Sequence, residues 1–367
     1  MSPLRFVVAG GGTSGHINPA LAIAEQIQRD HPDAEIRFCG TARGLESTLV
    51  PRAGFAFTAI RARGLPSRPS REMLRAVADY LAGYRQSRRL LRQFRPNAVI
   101  GTGGYVCSPV VAAAAGLRIP VLLHEQNAFP GRSNRLMARR SQAVCISFPG
   151  TEQRFHTRAP ITLTGNPVRE IFFRQDRLTA RTALGLDPAQ PVILAMGGSL
   201  GARSINLAVL GLDFTAEQAD GKAPLVILAA GRQHFQAVSA AAAGKPWLAV
   251  HEYLYDIHLY MAAADLLICR SGAMTCAELA ALGRPAIMVP YPFAAGDHQT
   301  YNARAQADAG GAVLCPDSQL TPAWLMTAIK DLFHDPDRLP RMGQAAASQA
   351  RPDAAADICH RLYEVMQ

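Results

Sequence analysis

Short apolar runs bounded by glycine, proline or polar residues recur along the chain, and longer stretches with helical spacing lie between them. Runs at 5–9, 35–39, 98–100, 121–123 and 144–147 read as buried strands in the first half. Those at 192–196, 225–229, 266–269 and 286–289 do so in the second. A helix is predicted over 19–30. Strand–helix alternation of this kind predicts an α/β fold, with parallel sheets covered by helices on both faces.

The two halves repeat one another. Phe6-Val-Val-Ala-Gly-Gly-Gly-Thr13 and Val192-Ile-Leu-Ala-Met-Gly-Gly-Ser199 are each a strand running into a glycine loop and a helix. Val99-Ile-Gly-Thr-Gly-Gly104 and Leu267-Ile-Cys-Arg-Ser-Gly272 each lead into an alanine-rich helix and a further strand. The pattern predicts two doubly wound domains, 1–163 and 164–352, joined near Thr164-Gly-Asn-Pro167, with a helical tail over 353–367 packing back on the first. Ligands in such sheets bind beyond the carboxyl ends of the strands, so two facing domains would share a cleft.

Composition narrows the partners. The chain has 367 residues, of which 49% are hydrophobic, enough for two full cores. No apolar run reaches bilayer length, and the first residues lack signal-peptide architecture. Seven cysteines, with no Cys-x-x-Cys pair, predict reduced, packed thiols. The net charge of +10 is unevenly placed. Residues 1–163 hold 22 arginines and no lysine against nine acidic residues, a surplus of 13, while the remainder carries a deficit of 3. The first half should therefore meet an anion: nucleic acid, acidic lipid or a phosphorylated substrate. Its arginines are not interleaved with stacking aromatics, which argues against nucleic acid.

The chemistry-bearing residues follow the strands. Gly10-Gly-Gly-Thr-Ser-Gly-His16 offers free amides and a helix N-terminus to an anion, or is simply a tight turn, with His16 as cap or base. A dinucleotide fold is the rival reading, but the second strand ends Arg37-Phe-Cys-Gly-Thr41, without the acidic residue that grips a ribose. Gly101-Thr-Gly-Gly-Tyr-Val-Cys-Ser-Pro109 repeats the anion-binding logic; two such loops on one sheet edge suit a diphosphate. His124-Glu-Gln-Asn127 ends a buried strand with four polar groups, either a solvated strand end or a set that includes a general base. Gly197 to Asn206, with Ser199, starts another helix. In Cys269 to Glu278 a carboxylate at a helix start either complements the dipole or binds hydroxyls. Asp297-His-Gln-Thr-Tyr-Asn302 carries amides suited to sugar hydroxyls. The stretch 68–95 mixes Arg71, Arg75, Arg85, Arg88, Arg89 and Arg92 with Leu74, Val77, Leu81, Tyr84 and Leu91, as an amphipathic helix facing a core or a surface pressed on acidic headgroups.

Together these motifs closely resemble the MurG family, N-acetylglucosaminyltransferases of peptidoglycan synthesis. The resemblance covers nearly the whole chain and also takes in Gly165-Asn-Pro-Val-Arg169. It implies a GT-B fold, two Rossmann-like domains across a cleft. It implies transfer of N-acetylglucosamine from UDP-N-acetylglucosamine to the 4-hydroxyl of a lipid-linked muramoyl-pentapeptide, with inversion. The work would be done peripherally, at the cytoplasmic face of the inner membrane, in the cell-wall assembly on which cell shape and division depend. Another GT-B transferase with a lipid acceptor is the alternative. By the resemblance Glu278 would hold the ribose and the Leu254 backbone the uracil. Ser199, Arg169 and the helix start Ala273, Met274, Thr275, Cys276 and Ala277 would serve the nucleotide, and Gln299 with Asn302 the sugar. Thr13, Ser14, Gly15, His16, Gly103 and Gly104 would face the acceptor diphosphate, with Asn127 beside them. His16 is the first candidate base and Glu125 the second. No Asp-x-Asp motif is present, so neither a protein-bound metal nor another cofactor is expected. Ser14 stands where the family often has glycine, Asn18 where it has an aromatic, and Leu200 where it has glutamine.

Overall fold

The computed structural model describes residues 3–64, 71–198, 200–219 and 223–367. The chain divides into two compact units. One comprises the residues up to Arg169 together with Arg351–Gln367; the other is Glu170–Ala350.

In the first unit the strands are β1 (Arg5–Gly10), β2 (Glu35–Gly40), β3 (Ala56–Ala59), β4 (Ala98–Gly103), β5 (Val121–Glu125), β6 (Ala143–Ile146) and β7 (Ile161–Leu163). They form a parallel sheet in the order β3-β2-β1-β4-β5-β6-β7. Successive residues of β1 feed opposite faces: Phe6 and Val8 enter one core, Val7 and Ala9 the other. The helix Ser14–Asp30 covers the first face. It begins five residues before the predicted start, so Pro19 lies inside it and costs it one intrahelical bond. The C-terminal helix Ala354–Glu364 packs on the same face, with Ile358, Cys359 and Leu362 fully buried among Ile23, Ile27 and Phe6. Tyr363 donates to Asp30 at 2.8 Å and fastens the two helices together.

The first unit runs six residues past the predicted junction. The Thr164 and Gly165 amides donate to the Ile146 carbonyl at 3.0 and 3.2 Å, and Arg169 pairs with Glu25. These bonds tie 164–169 to the first sheet and to the helix Ser14–Asp30.

In the second unit β8 (Val192–Met196), β9 (Leu225–Ala229), β10 (Leu248–His251), β11 (Leu266–Cys269), β12 (Ala286–Met288) and β13 (Ala312–Leu314) form a parallel sheet ordered β10-β9-β8-β11-β12-β13. Arg181 braces its base. The side chain is fully buried, and it donates to four carbonyls and to Asp265, which also accepts from Arg177 and the Val192 amide.

Both sheets reverse strand order next to their first strand, at β1/β4 and at β8/β11. The four repeated sequence motifs sit at the carboxyl ends of those four strands. This is where a doubly wound sheet opens a crevice. Among the described residues no helix is long and apolar enough to cross a membrane.

Candidate functional site

In the first unit the loops after β1 and β4 are pressed against each other. Gly104 lies at φ 80°, and a Cβ there would stand 2.2 Å from the Gly11 carbonyl oxygen. A Cβ on Gly103 would stand 2.9 Å from His16 Nδ1. Glycine is required at both positions, by backbone angle and by space. The Thr102 hydroxyl donates to the His16 carbonyl at 2.7 Å, so the second loop also holds the first turn of the helix. Thr13 is the N-cap residue, and its carbonyl accepts the His16 and Ile17 amides. Ser14, Gly15 and His16 are half-buried in that first turn.

His124-Glu-Gln-Asn127 is not a solvated strand end. His124, Glu125 and Gln126 are at most 2% exposed, and Asn127 is half-buried. Glu125 accepts four hydrogen bonds, from the Asn127 amide (3.0 Å) and Asn127 Nδ2 (3.1 Å) on Oε1, and from the Gly131 amide (3.0 Å) and Asn134 Nδ2 (2.9 Å) on Oε2. This geometry is that of a group holding a loop, since each lone pair is turned inward; it argues against Glu125 as the base. His16 is placed differently. Its Nδ1 lies 3.1 Å from Gln126 Oε1, and the ring backs on Gly103. Gln126 Nε2 is 2.9 Å from His124 Nδ1, and His124 Nε2 is 3.1 Å from the Gly165 carbonyl oxygen. Burial pushes the His124 imidazole down to about 4, against the raising effect of the Gly165 bond, so it is neutral.

Arg169 is engaged. Its guanidinium pairs with Glu25 at 2.6 Å on the helix Ser14–Asp30, within the first unit. Its charge is shared with that carboxylate.

In the second unit the loop after β8 turns at Gly198 and Gly201, both with φ 78°. Ser199 lies outside the described residues. Leu200 is 67% exposed. The helix Ala273–Leu282 follows β11, with Gly272 as N-cap in extended conformation. Glu278 is in its second turn, not its first, and is 5% exposed. Dipole complementation is therefore a weak account of it. The Tyr253 phenol is pushed up by burial first, then by Tyr255 and the Glu278 carboxylate. Glu278 thus lies within electrostatic reach of the 253–255 segment, in which Leu254 is buried. Ala273, Met274 and Cys276 are buried, while Thr275 and Ala277 are half-buried.

Gln299 Oε1 accepts the Tyr291 amide at 2.9 Å, and its carbonyl accepts from Ser271 Oγ at 2.7 Å. Asn302 is 1% exposed and donates to the Ser271 carbonyl at 3.0 Å. Asn302 therefore fixes the turn before the helix Ala273–Leu282. Arg270, unremarked in the sequence, closes the β11 end. It donates to the Val289 and Pro290 carbonyls and to Ser204, and pairs with Asp317 at 2.5 Å. All seven cysteines are free and buried.

Comparison with known proteins matches both units. The glycosyltransferase family 28 N-terminal domain matches residues 6–146, and the family 28 C-terminal domain matches 192–358. A curated relative from Desulforudis audaxviator is 45% identical, with 98% of each chain covered. It is named UDP-N-acetylglucosamine--N-acetylmuramyl-(pentapeptide) pyrophosphoryl-undecaprenol N-acetylglucosamine transferase. A Desulforamulus reducens protein of the same name is 41% identical over 99% of each chain. The crystal structure of Acinetobacter baumannii MurG superposes with a TM-score of 0.70 at 30% identity, covering 99% of this chain and all of that one. The calicheamicin glycosyltransferase CalG4, at 17% identity and a TM-score of 0.65, shares the fold. With both family domains in order and full-length relatives of one name, the chain belongs to glycosyltransferase family 28 and, within it, to the MurG N-acetylglucosaminyltransferases.

Proposed function

We propose that this protein transfers N-acetylglucosamine from UDP-N-acetylglucosamine to the 4-hydroxyl of N-acetylmuramoyl-pentapeptide on an undecaprenyl diphosphate carrier. Its full-length identity to transferases of that name carries the reading, and the relatives do not favour another lipid-directed GT-B transferase. In the step, the acceptor oxygen forms a bond to the donor's anomeric carbon as the bond from that carbon to the UDP oxygen breaks. The electron pair leaves with UDP, and the hydroxyl proton passes to a base. Attack opposite the leaving group turns an α-linkage into a β-linkage. His16, half-buried beside both glycine loops, is our base. The loops themselves, through Thr13, Ser14, Gly15, Gly103 and Gly104, bind the acceptor diphosphate, with Asn127 nearby. Glu278 binds the donor ribose, the Leu254 backbone the uracil, and Gln299 the sugar. The helix start at Ala273 to Ala277 serves the UDP phosphates, where fixed amides stabilise the charge that develops on departure, and Ser199 is assigned the same duty. Transfer of radiolabel from UDP-N-acetylglucosamine to a lipid-linked muramoyl acceptor tests the whole reading; label in no lipid product ends it.

We also assign the protein to the cytoplasmic face of the membrane, bound peripherally to acidic lipid. The support is the helix Arg71–Phe94. It buries Ala76, Gly83, Ser87 and Leu91, and leaves Leu74 (73%), Val77 (46%) and Leu81 (47%) in solvent beside the exposed Arg71, Arg75, Arg85 and Arg88. An ordinary core-facing helix would bury those three side chains.

A further inference from the structure

The ring nitrogens of a histidine are not equivalent, and which one carries the proton is set by the partner of the other. In water the neutral side chain prefers its proton on Nε2. A chain of hydrogen bonds in the first unit, from the Gly165 carbonyl through His124 and Gln126, bears on that preference at His16.

The direction of the chain is fixed at one end by a group that can only accept. His124 Nε2 lies 3.1 Å from the Gly165 carbonyl oxygen, so Nε2 carries the hydrogen. Gly165 sits at φ 88°, in the left-handed region that favours glycine. His124 is completely buried and neutral, so its Nδ1 is a bare lone pair. The atom 2.9 Å from that lone pair must donate, and it is Gln126 Nε2. A second carbonyl confirms the amide's orientation: Gln126 Nε2 also lies 3.2 Å from the His124 carbonyl oxygen. Gln126 Oε1 is thereby pointed at His16 Nδ1, 3.1 Å away, and can only accept from it. Gln126 is 1% exposed, and its main-chain carbonyl accepts from Asn166 Nδ2 at 3.1 Å, which holds the backbone from which the amide projects.

We infer that Gln126 and His124 are positioning residues for the transfer reaction, holding His16 as the Nδ1–H tautomer so that its Nε2 lone pair is the one offered to the acceptor hydroxyl. The inference rests on the proposed role of His16 as base. When His16 Nε2 takes the proton from the attacking hydroxyl, Nδ1–H keeps its bond to Gln126, and no other hydrogen in the chain has to move. A carboxylate in that position would also fix the tautomer but would bring a negative charge; the amide orients the ring without one.

The test is nitrogen-15 NMR of the full chain labelled in histidine, at a pH where the rings are neutral, with His16→Gln used to identify the His16 resonances by their loss. The expected result is an Nδ1–H, bare-Nε2 pattern at His16 in the unaltered protein. Gln126→Leu should convert His16 to the Nε2–H pattern and lower kcat on the order of ten- to a hundredfold, the range of an orienting partner, with UDP affinity unchanged. Gln126→Glu guards against a folding artefact. Its oxygen still only accepts, so the Nδ1–H pattern should be retained there while it is lost in the leucine variant. An Nε2–H pattern at His16 in the unaltered protein overturns the relay and leaves the transferase assignment intact. A leucine variant whose tautomer switches while kcat holds overturns His16 as base, and with it the part of Gln126 and His124 in turnover.

Discussion

Glu46 accepts the Gly12 amide at 3.0 Å, so a helix outside every recognisable motif shapes the first glycine loop. Its other oxygen takes the Thr41 amide (2.7 Å) and hydroxyl (2.8 Å), and the residue is wholly buried. Glu46→Gln sets an amide NH2 against a donor. It should cost about 1–3 kcal/mol of stability and slow transfer to the acceptor without weakening UDP. Chemical denaturation and calorimetry with UDP check this; unchanged stability and turnover would mean the loop holds its shape unaided.

The donor assignment is tested at Glu278. Glu278→Ala should weaken UDP binding by roughly 1.5–3 kcal/mol, the worth of charge-assisted bonds to two ribose hydroxyls. Titration calorimetry on a variant with native circular dichroism reads this directly. An unaltered affinity would move the ribose elsewhere.

His124 gives the fold a pH dependence whose sign is fixed by its burial. The folded imidazole titrates at about 4 against an ordinary 6.5, so the unfolded chain takes the proton first as pH falls. The contribution is complete above pH 6.5 and is lost progressively toward pH 4, up to about 3 kcal/mol in all. His124→Asn should flatten that limb of a stability–pH curve measured by urea denaturation. Parallel curves for the two proteins would show that the imidazole titrates alike in the folded and unfolded chain.

The exposed apolar side chains of the helix Arg71–Phe94 predict salt-sensitive binding to acidic vesicles and little to neutral ones. Reversing Arg71, Arg75, Arg85 and Arg88 to Glu should abolish sedimentation with phosphatidylglycerol vesicles while UDP binding persists. Each basic residue near such a surface is worth about 1 kcal/mol. Equal binding to neutral vesicles would place the anchor on another face.

The central strands were legible because they are buried on both faces and read as unbroken apolar runs. The strands that sequence reasoning missed are β3, β7, β10 and β13, the outer strand at each side of each sheet. They have three or four residues, mostly half-exposed, so neither length nor hydrophobicity marks them. The glycine loops and His16 were legible through composition at strand ends. The roles of Glu46, Arg270 and Arg181 were not, because each is defined by partners distant in sequence and no local pattern announces them. The His124 to Asn127 cluster was visible as polar residues, but its inward orientation was not: strand alternation alone cannot show that His124 faces Gly165 and that Glu125 is enclosed by Asn127, Gly131 and Asn134.

The helix Ala354–Glu364 supplies Ile358, Cys359 and Leu362 to a core whose other buried members lie between Phe6 and Cys145, on the far side of the second unit in sequence. On the ribosome, the segment Glu170–Ala350 is made in one continuous piece and has its own core before that helix emerges. The usual vectorial order, in which the first domain made is the first to fold, is thus reversed for completion of the core. The segment before Glu170 waits with Ile23 and Ile27 incompletely covered until the helix Ala354–Glu364, made after the whole second unit, closes that core.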